Sequence, residues 1–222
     1  MPPFQEMLLV AILLLLAALT LFDRQLMRAC SWFVAFALAV ALAWARLGLI
    51  WLALLEAMLG AVLTSAYLFH ALGVTLHFRR PRGFFTRWHD PAALTWWRAV
   101  ARLLPALAVL AMLGLALSAL GVSPTGSLRP AGLGLLGLGL WAFALHRHLL
   151  RRLLAFNVIG TGIFLILMSL AGEGAVVAGQ GLVVTGLVVA LLGTALGALL
   201  IRRLEGLGPS SHMTPAKGDG TS

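Results

Sequence analysis

Apolar runs close to twenty residues long recur from one end of this chain to the other. An α-helix rises about 1.5 Å per residue, so about 20 residues cross the ~30 Å hydrocarbon core of a bilayer. Seven such segments are readable, at roughly 5–22, 27–45, 48–73, 98–120, 131–146, 150–170 and 178–201. The expectation is an all-α integral membrane protein of about seven transmembrane helices. The third segment exceeds the length needed to span, so it should tilt or extend past the membrane. The fifth is short and rich in glycine (Gly132, Gly134, Gly137, Gly139). Composition agrees: 61% of the 222 residues are hydrophobic and 10% charged, against roughly 25% charge in ordinary soluble domains. A soluble globular domain and a disordered chain are both excluded.

The formal net charge is +9. In a soluble protein that excess would point to nucleic acid. Here the basic residues sit at helix ends and no aromatic-rich basic domain accompanies them, so no nucleic-acid partner is expected. The leading residues MPPFQE carry no Lys or Arg, unlike a cleaved signal peptide. With seven spans, Arg24, Arg28, Arg79, Arg80, Arg82, Arg87, Arg98, Arg102, Arg147, Arg151, Arg152, Arg202, Arg203 and Lys217 fall on one side. Arg46 and Arg129 fall on the other, a division of fourteen against two. Lys and Arg near span ends accumulate on the cytoplasmic side, so the expected orientation is N-out/C-in. The single cysteine, Cys30, excludes an internal disulfide and a thiolate metal cluster.

The longest connection, about residues 74–97, is expected in the cytoplasm. Asp90 followed by Pro91 reads as a helix start, with Trp88, Trp96 and Trp97 at headgroup level. Arg79, Arg80, Arg82 and Arg87 form a candidate contact for anionic lipid or a partner subunit, beside their ordinary role in topology. Pro105 lies inside the fourth span and should kink it. The tail from Gly206 is Gly-, Pro-, Ser- and Thr-rich and expected to be disordered.

Ionisable residues within a bilayer are costly and mark function by default. Glu56 is the one acid deep in a span, within LIWLALLEAMLGAVLTSAYLFHAL. At 100° per residue Tyr67 and His70 share its face and lead towards the cytoplasm. Glu56 and Tyr67 are about 16 Å apart along the axis, so a relay between them needs water or neighbouring helices. Removal from water disfavours a charged carboxyl, which makes Glu56 a candidate proton carrier or small-cation ligand; the alternative is a glutamate that joins helices. His70, His146 and His148 read as interfacial, and no metal site is expected. Asn157, Thr161, Thr185 and Thr194 are further polar groups in the spans, each also suited to plain inter-helix hydrogen bonding. Gly193 with Gly197, and Ala57 with Ala61 beside Gly60, form small-residue steps suited to helix packing. No nucleophile elbow, phosphate loop, zinc motif or dinucleotide fingerprint occurs, and no cofactor is expected.

Two stretches resemble known families. Residues 49–72 are similar to the three-helix module MbhD, which also ends the large subunit of Mrp-type sodium/proton antiporters: Glu56–Ala57 and the run Gly60, Ala61, Leu63, Thr64, Ser65 keep its pattern. Ile50 and Trp51 replace the family's proline–aspartate pair, so no role of that aspartate carries over. Residues 132–204 resemble the small subunit MrpC, related to subunit K of respiratory complex I (NuoK). The match is carried by HLLRRLLAFNVIGTGIFLIL, with Arg151 at the family's arginine, and by Gln180, Thr185 and Thr194 in the next helix. Complex I members have a glutamate in each of these helices; Asn157 and Ala190 stand there in this chain, and antiporter-type members commonly lack those glutamates too.

The resemblance implies four parts: an MbhD-like module (1–75), a basic loop with one kinked helix (76–130), an MrpC/NuoK-like module (131–205) and a tail (206–222). It implies a multi-pass subunit of a prokaryotic plasma-membrane antiporter complex, partnered by other membrane subunits and moving Na+ and H+, and not itself an enzyme. Its ion/proton path would comprise Glu56, Tyr67, His70, Asn157, Thr161 and Thr185. A redox- or uptake-driven relative and a purely structural linker are the alternatives. A complete transporter is not expected, because no internal repeat is visible.

Overall fold

The computed structural model describes residues 3–71, 96–119, 128–146, 148–170 and 176–206. Among these the chain is helical: α1 (Pro3–Phe22), α2 (Leu26–Arg46), α3 (Ile50–Glu56), a π-helical segment π1 (Ala57–Thr64), α4 (Ser65–Ala71), α5 (Trp96–Ala119), α6 (Leu128–Leu145), α7 (Leu149–Leu170) and α8 (Val176–Gly206). α3, π1 and α4 run on as one span. Five helices have the length and apolar composition to cross a bilayer: Phe4–Phe22, Leu26–Arg46, Ile50–His70, Leu149–Leu170 and Val177–Ile201. α5 and α6 carry shorter apolar stretches, Leu107–Ala116 and Arg129–Leu145. Five of the seven expected spans are thus present at membrane-crossing length; the fourth and fifth, in α5 and α6, are shorter apolar stretches among the described residues. The stretch in α6 reaches about 25 Å at 1.5 Å per residue, a little under the full core thickness. The arginine-rich loop (Arg79, Arg80, Arg82, Arg87), the Asp90–Pro91 helix start and the tail lie outside the described residues, as do the side chains of Trp96 and Trp97.

The turn from α2 into α3 is short because Gly48 takes φ +78°, a left-handed conformation that suits glycine. α1, α2 and the third span therefore pack as adjacent antiparallel helices. α6 and α7 make the most extensive helix pair among the described residues. α1 lies against α6, and α8 lies against π1, α4 and α7, so the first three spans and the last three form one packed body; α5 is joined to it through α6. The shared core includes Leu13, Phe36, Trp44, Leu52 and Leu68 from the first half and Leu135, Leu150, Leu154 and Leu165 from the second.

Glycine explains the closeness of α6 and α7. A β-carbon on Gly162 would lie 2.8 Å from both the Gly132 carbonyl oxygen and the Leu136 nitrogen. One on Gly139 would lie 3.2 Å from the Ala155 oxygen. These obstacles are backbone atoms and cannot turn aside. In apolar surroundings, where burial of oily side chains supplies little drive between helices, such close backbone approach is a main source of association.

A second tie crosses from one half to the other. Arg151, 4% exposed, donates through Nη1 to the Leu21 carbonyl at 3.1 Å and through Nη2 to the Asp23 carbonyl. These carbonyls sit where α1 ends and its last acceptors lack helical partners. Nη1 also meets His146 Nε2 at 3.1 Å. Arginine is a donor, so that nitrogen accepts, which leaves Nδ1–H to donate to the Ala142 carbonyl at 3.1 Å. Asp23 in turn accepts from the Gln25 backbone N–H and pairs with Arg28 at 3.3 Å. At the other end of α1, Arg46 reaches Gln5 at 3.4 Å. Arg28 and Arg151 thus share one end of the bundle and Arg46 the opposite one, in keeping with the division of charge in the sequence.

Candidate functional site

Glu56 ends α3 and is 4% exposed. Its carboxyl borders a cavity lined also by Phe33, Phe36 and Ala37 of α2, Leu59, Gly60 and Thr64 of π1, Asn157, Thr161 and Phe164 of α7, and Leu187 of α8. The cavity therefore lies on the seam between the first three spans and the last three, and each half supplies polar groups. Its free space is about 20 Å³; a single water needs about 10–15 Å³. One small guest fits.

The local helix geometry makes this place. In π1 the hydrogen-bond pattern widens from i→i+4 to i→i+5, a rare departure that is frequent at functional sites. Thr64 Oγ1 donates to the Leu59 carbonyl, five residues back, at 2.7 Å. Gly60 leaves room for the acid: a β-carbon there would lie 2.7 Å from Glu56 Oε1 and 3.5 Å from the Ala37 β-carbon. Gly60 thus serves both as the expected packing residue and as the floor beneath the carboxyl.

No hydrogen bond or ion pair to the Glu56 carboxyl is found among the described residues; the ion pair found there joins Asp23 and Arg28. The indole N–H of fully buried Trp44 is close enough to act on the carboxyl without reaching hydrogen-bond geometry. An uncompensated carboxylate in such surroundings is strongly disfavoured, so Glu56 is either protonated or matched by a cation.

Of the residues expected on an ion path, three meet here: Glu56, Asn157 and Thr161. Three do not line the cavity. Tyr67 is half-buried and packs against the core, His70 is exposed, and Thr185 sits on the exposed face of α8, bonded to the Gly181 carbonyl at 2.9 Å. The π turn accounts for the first two: the 100° step assumed for an unbroken α-helix does not hold over Ala57–Thr64, so residues beyond it are turned back from the face of Glu56. The same shift brings in Thr64, which α-helical spacing from Glu56 does not select. Of the other packing residues, Ala61 is buried and Ala57 partly so. A β-carbon on Gly197 would lie 3.1 Å from Leu153, and one on Gly193 would meet nothing within 4 Å.

Cys30 is buried and free, and no group of three or more His, Cys, Asp or Glu suited to a metal occurs among the described residues. Residues 131–217, 87 of the 222, match the family described as NADH-ubiquinone/plastoquinone oxidoreductase chain 4L. The match supports the resemblance of the second half to subunit K and takes in Arg151, Asn157, Thr161 and Thr194; it does not extend to residues 49–72. No curated protein and no solved structure matches the chain.

Proposed function

We propose that this chain is a membrane subunit of a multisubunit Mrp-like cation/proton antiporter, with Glu56 as the group that takes up and releases the moving ion. The observation that carries the reading is the cavity, where a buried, unpaired carboxyl from the first half faces Asn157 and Thr161 of the chain 4L-like second half. A carboxyl at such a seam exchanges a proton or small cation when packing of the two halves changes. Neighbouring antiporter-like subunits supply the rest of the route and the plasma membrane is its site. The chain itself catalyses no reaction and needs no cofactor. Tyr67 and His70 lie beyond the π turn, off the face of Glu56, and take no direct part at the seam; Thr185 faces a neighbouring subunit, and the arginines from Arg79 to Arg87 contact that subunit or anionic lipid.

The family match also favours a second reading, the equivalent membrane-arm subunit of a redox-driven relative, since the described family is an oxidoreductase chain. Mild-detergent purification of the tagged chain with mass spectrometry of its companions tests both. Large antiporter-like subunits alone support the first. Iron–sulfur or other soluble redox subunits in stoichiometric yield would replace it with the second. Recovery of the chain by itself would overturn the subunit reading.

A further inference from the structure

We propose that the seam cavity binds a dehydrated monovalent cation, and that Thr194 is the positioning residue that keeps its wall an acceptor of positive charge. The inference rests on the reading of Glu56 as an ion-path group and adds the nature and ligands of the guest. It comes from a count of hydrogens. Thr64 spends its hydroxyl hydrogen on the Leu59 carbonyl at 2.7 Å, and Thr161 spends its own on the Asn157 carbonyl at 3.1 Å. Asn157 donates both amide hydrogens away from the cavity, to the Leu153 carbonyl at 3.0 Å and to Thr194 Oγ1 at 2.9 Å. This orientation is fixed by chemistry, because a backbone carbonyl only accepts and Thr194 has given its own hydrogen to the Ala190 carbonyl at 2.8 Å.

What remains for a guest is oxygen: the Glu56 carboxylate, the Thr64 and Thr161 hydroxyl oxygens and Asn157 Oδ1. Trp44 is not among the lining residues, and its neutral N–H does not cancel a full charge. An anion finds no free donor among the described side chains that line the cavity. A divalent ion would leave one positive charge uncompensated in apolar surroundings, which is costly. One hard monovalent cation matches both the charge and the oxygen set.

Thr194, fully buried on α8, touches no guest and acts through Asn157. Thr194→Val keeps the side-chain volume and removes the acceptor that holds the amide, which frees Asn157 to turn an N–H towards the cavity. Thr194→Ser keeps the acceptor.

The test is binding of radiolabelled Na+ to the full chain extracted in polymer-bounded patches of its own membrane, so that its neighbours are retained. Expected are saturable binding competed by Li+ and not by choline, loss in Glu56→Gln, about tenfold weaker binding in Thr194→Val and recovery in Thr194→Ser. Absence of saturable Na+ binding to the unaltered chain, or equal binding in Thr194→Val, overturns the proposal. Labelling of Glu56 by a hydrophobic carbodiimide, read by mass spectrometry, separates the two levels. Labelling that Na+ does not suppress sinks the cation site and leaves Glu56 as a proton carrier. A chain that neither binds Na+ nor is labelled defeats both.

Discussion

The two seams of this molecule are built on opposite principles. Between α6 and α7, Gly132, Gly139 and Gly162 bring backbone against backbone and leave no room for a methyl group. Between the two halves, Gly60 also removes a side chain, but the space it frees is taken by a carboxyl and opens into a cavity with polar walls. The same residue type closes one interface and hollows the other. The difference lies in the partner: a facing backbone in the first case, the acid of the preceding helical turn in the second. A tight seam holds a three-helix unit rigid, and a hollow seam gives an ion somewhere to stop.

The comparison breaks most readily at Gly162. Gly162→Leu must push α6 and α7 apart against backbone atoms; overpacking costs about 1–3 kcal/mol, and more where nothing can turn aside. The expected result is loss of folded chain on size-exclusion chromatography, whereas Gly193→Leu, which meets nothing within 4 Å, is recovered folded. Equal recovery would show that the tight seam is not tight.

Arg151→Leu comes next. It leaves the Leu21 and Asp23 carbonyls at the end of α1 without their donor, a loss of about 1–3 kcal/mol. Thermal unfolding in detergent should shift downwards by several degrees, with ion binding at Glu56 retained. An unchanged midpoint would remove this tie between the halves from the account.

Gly60→Ala sharpens the contrast at smaller cost. The methyl group displaces the Glu56 carboxyl, so transport should fall several-fold while unfolding moves by only about 1 kcal/mol, the low end for overpacking, because the obstacle is the end of a side chain. A variant that transports normally would mean that the carboxyl does not depend on its glycine floor. Thr185→Val should do least. Its hydroxyl bonds its own helix on the exposed face of α8, so fold and Na+ binding should both persist; a loss of binding would bring Thr185 back into the ion path by a route the seam does not contain.

Much of the frame was legible in the sequence, because span length is fixed by membrane thickness. The expected segments 27–45 and 150–170 correspond to α2 (Leu26–Arg46) and α7 (Leu149–Leu170). Glu56 was legible for the same reason, as an acid with twenty apolar neighbours. Asn157 and Thr161 were visible as polar residues, but nothing in the sequence distinguished them from Thr185. All three sit in similar apolar helices, and the distinction depends on which neighbour each helix face meets. The π segment had no signal, since AMLGAVLT is apolar or small at nearly every position and carries no periodic pattern to slip. Thr64 was missed with it. The glycines of α6 looked like a weakness in a short span, and their purpose appears only when Gly162 of α7 is placed opposite.

The most direct test of the central claim, that the hollow seam carries the ion through Glu56, is coupled cation/proton transport in vesicles containing the Glu56→Gln complex, with subunit composition measured on the same sample. The expected result is a fully assembled complex whose transport falls at least about tenfold, equivalent to about 1.4 kcal/mol or more in the barrier. An assembled Glu56→Gln complex that transports at the normal rate would contradict it.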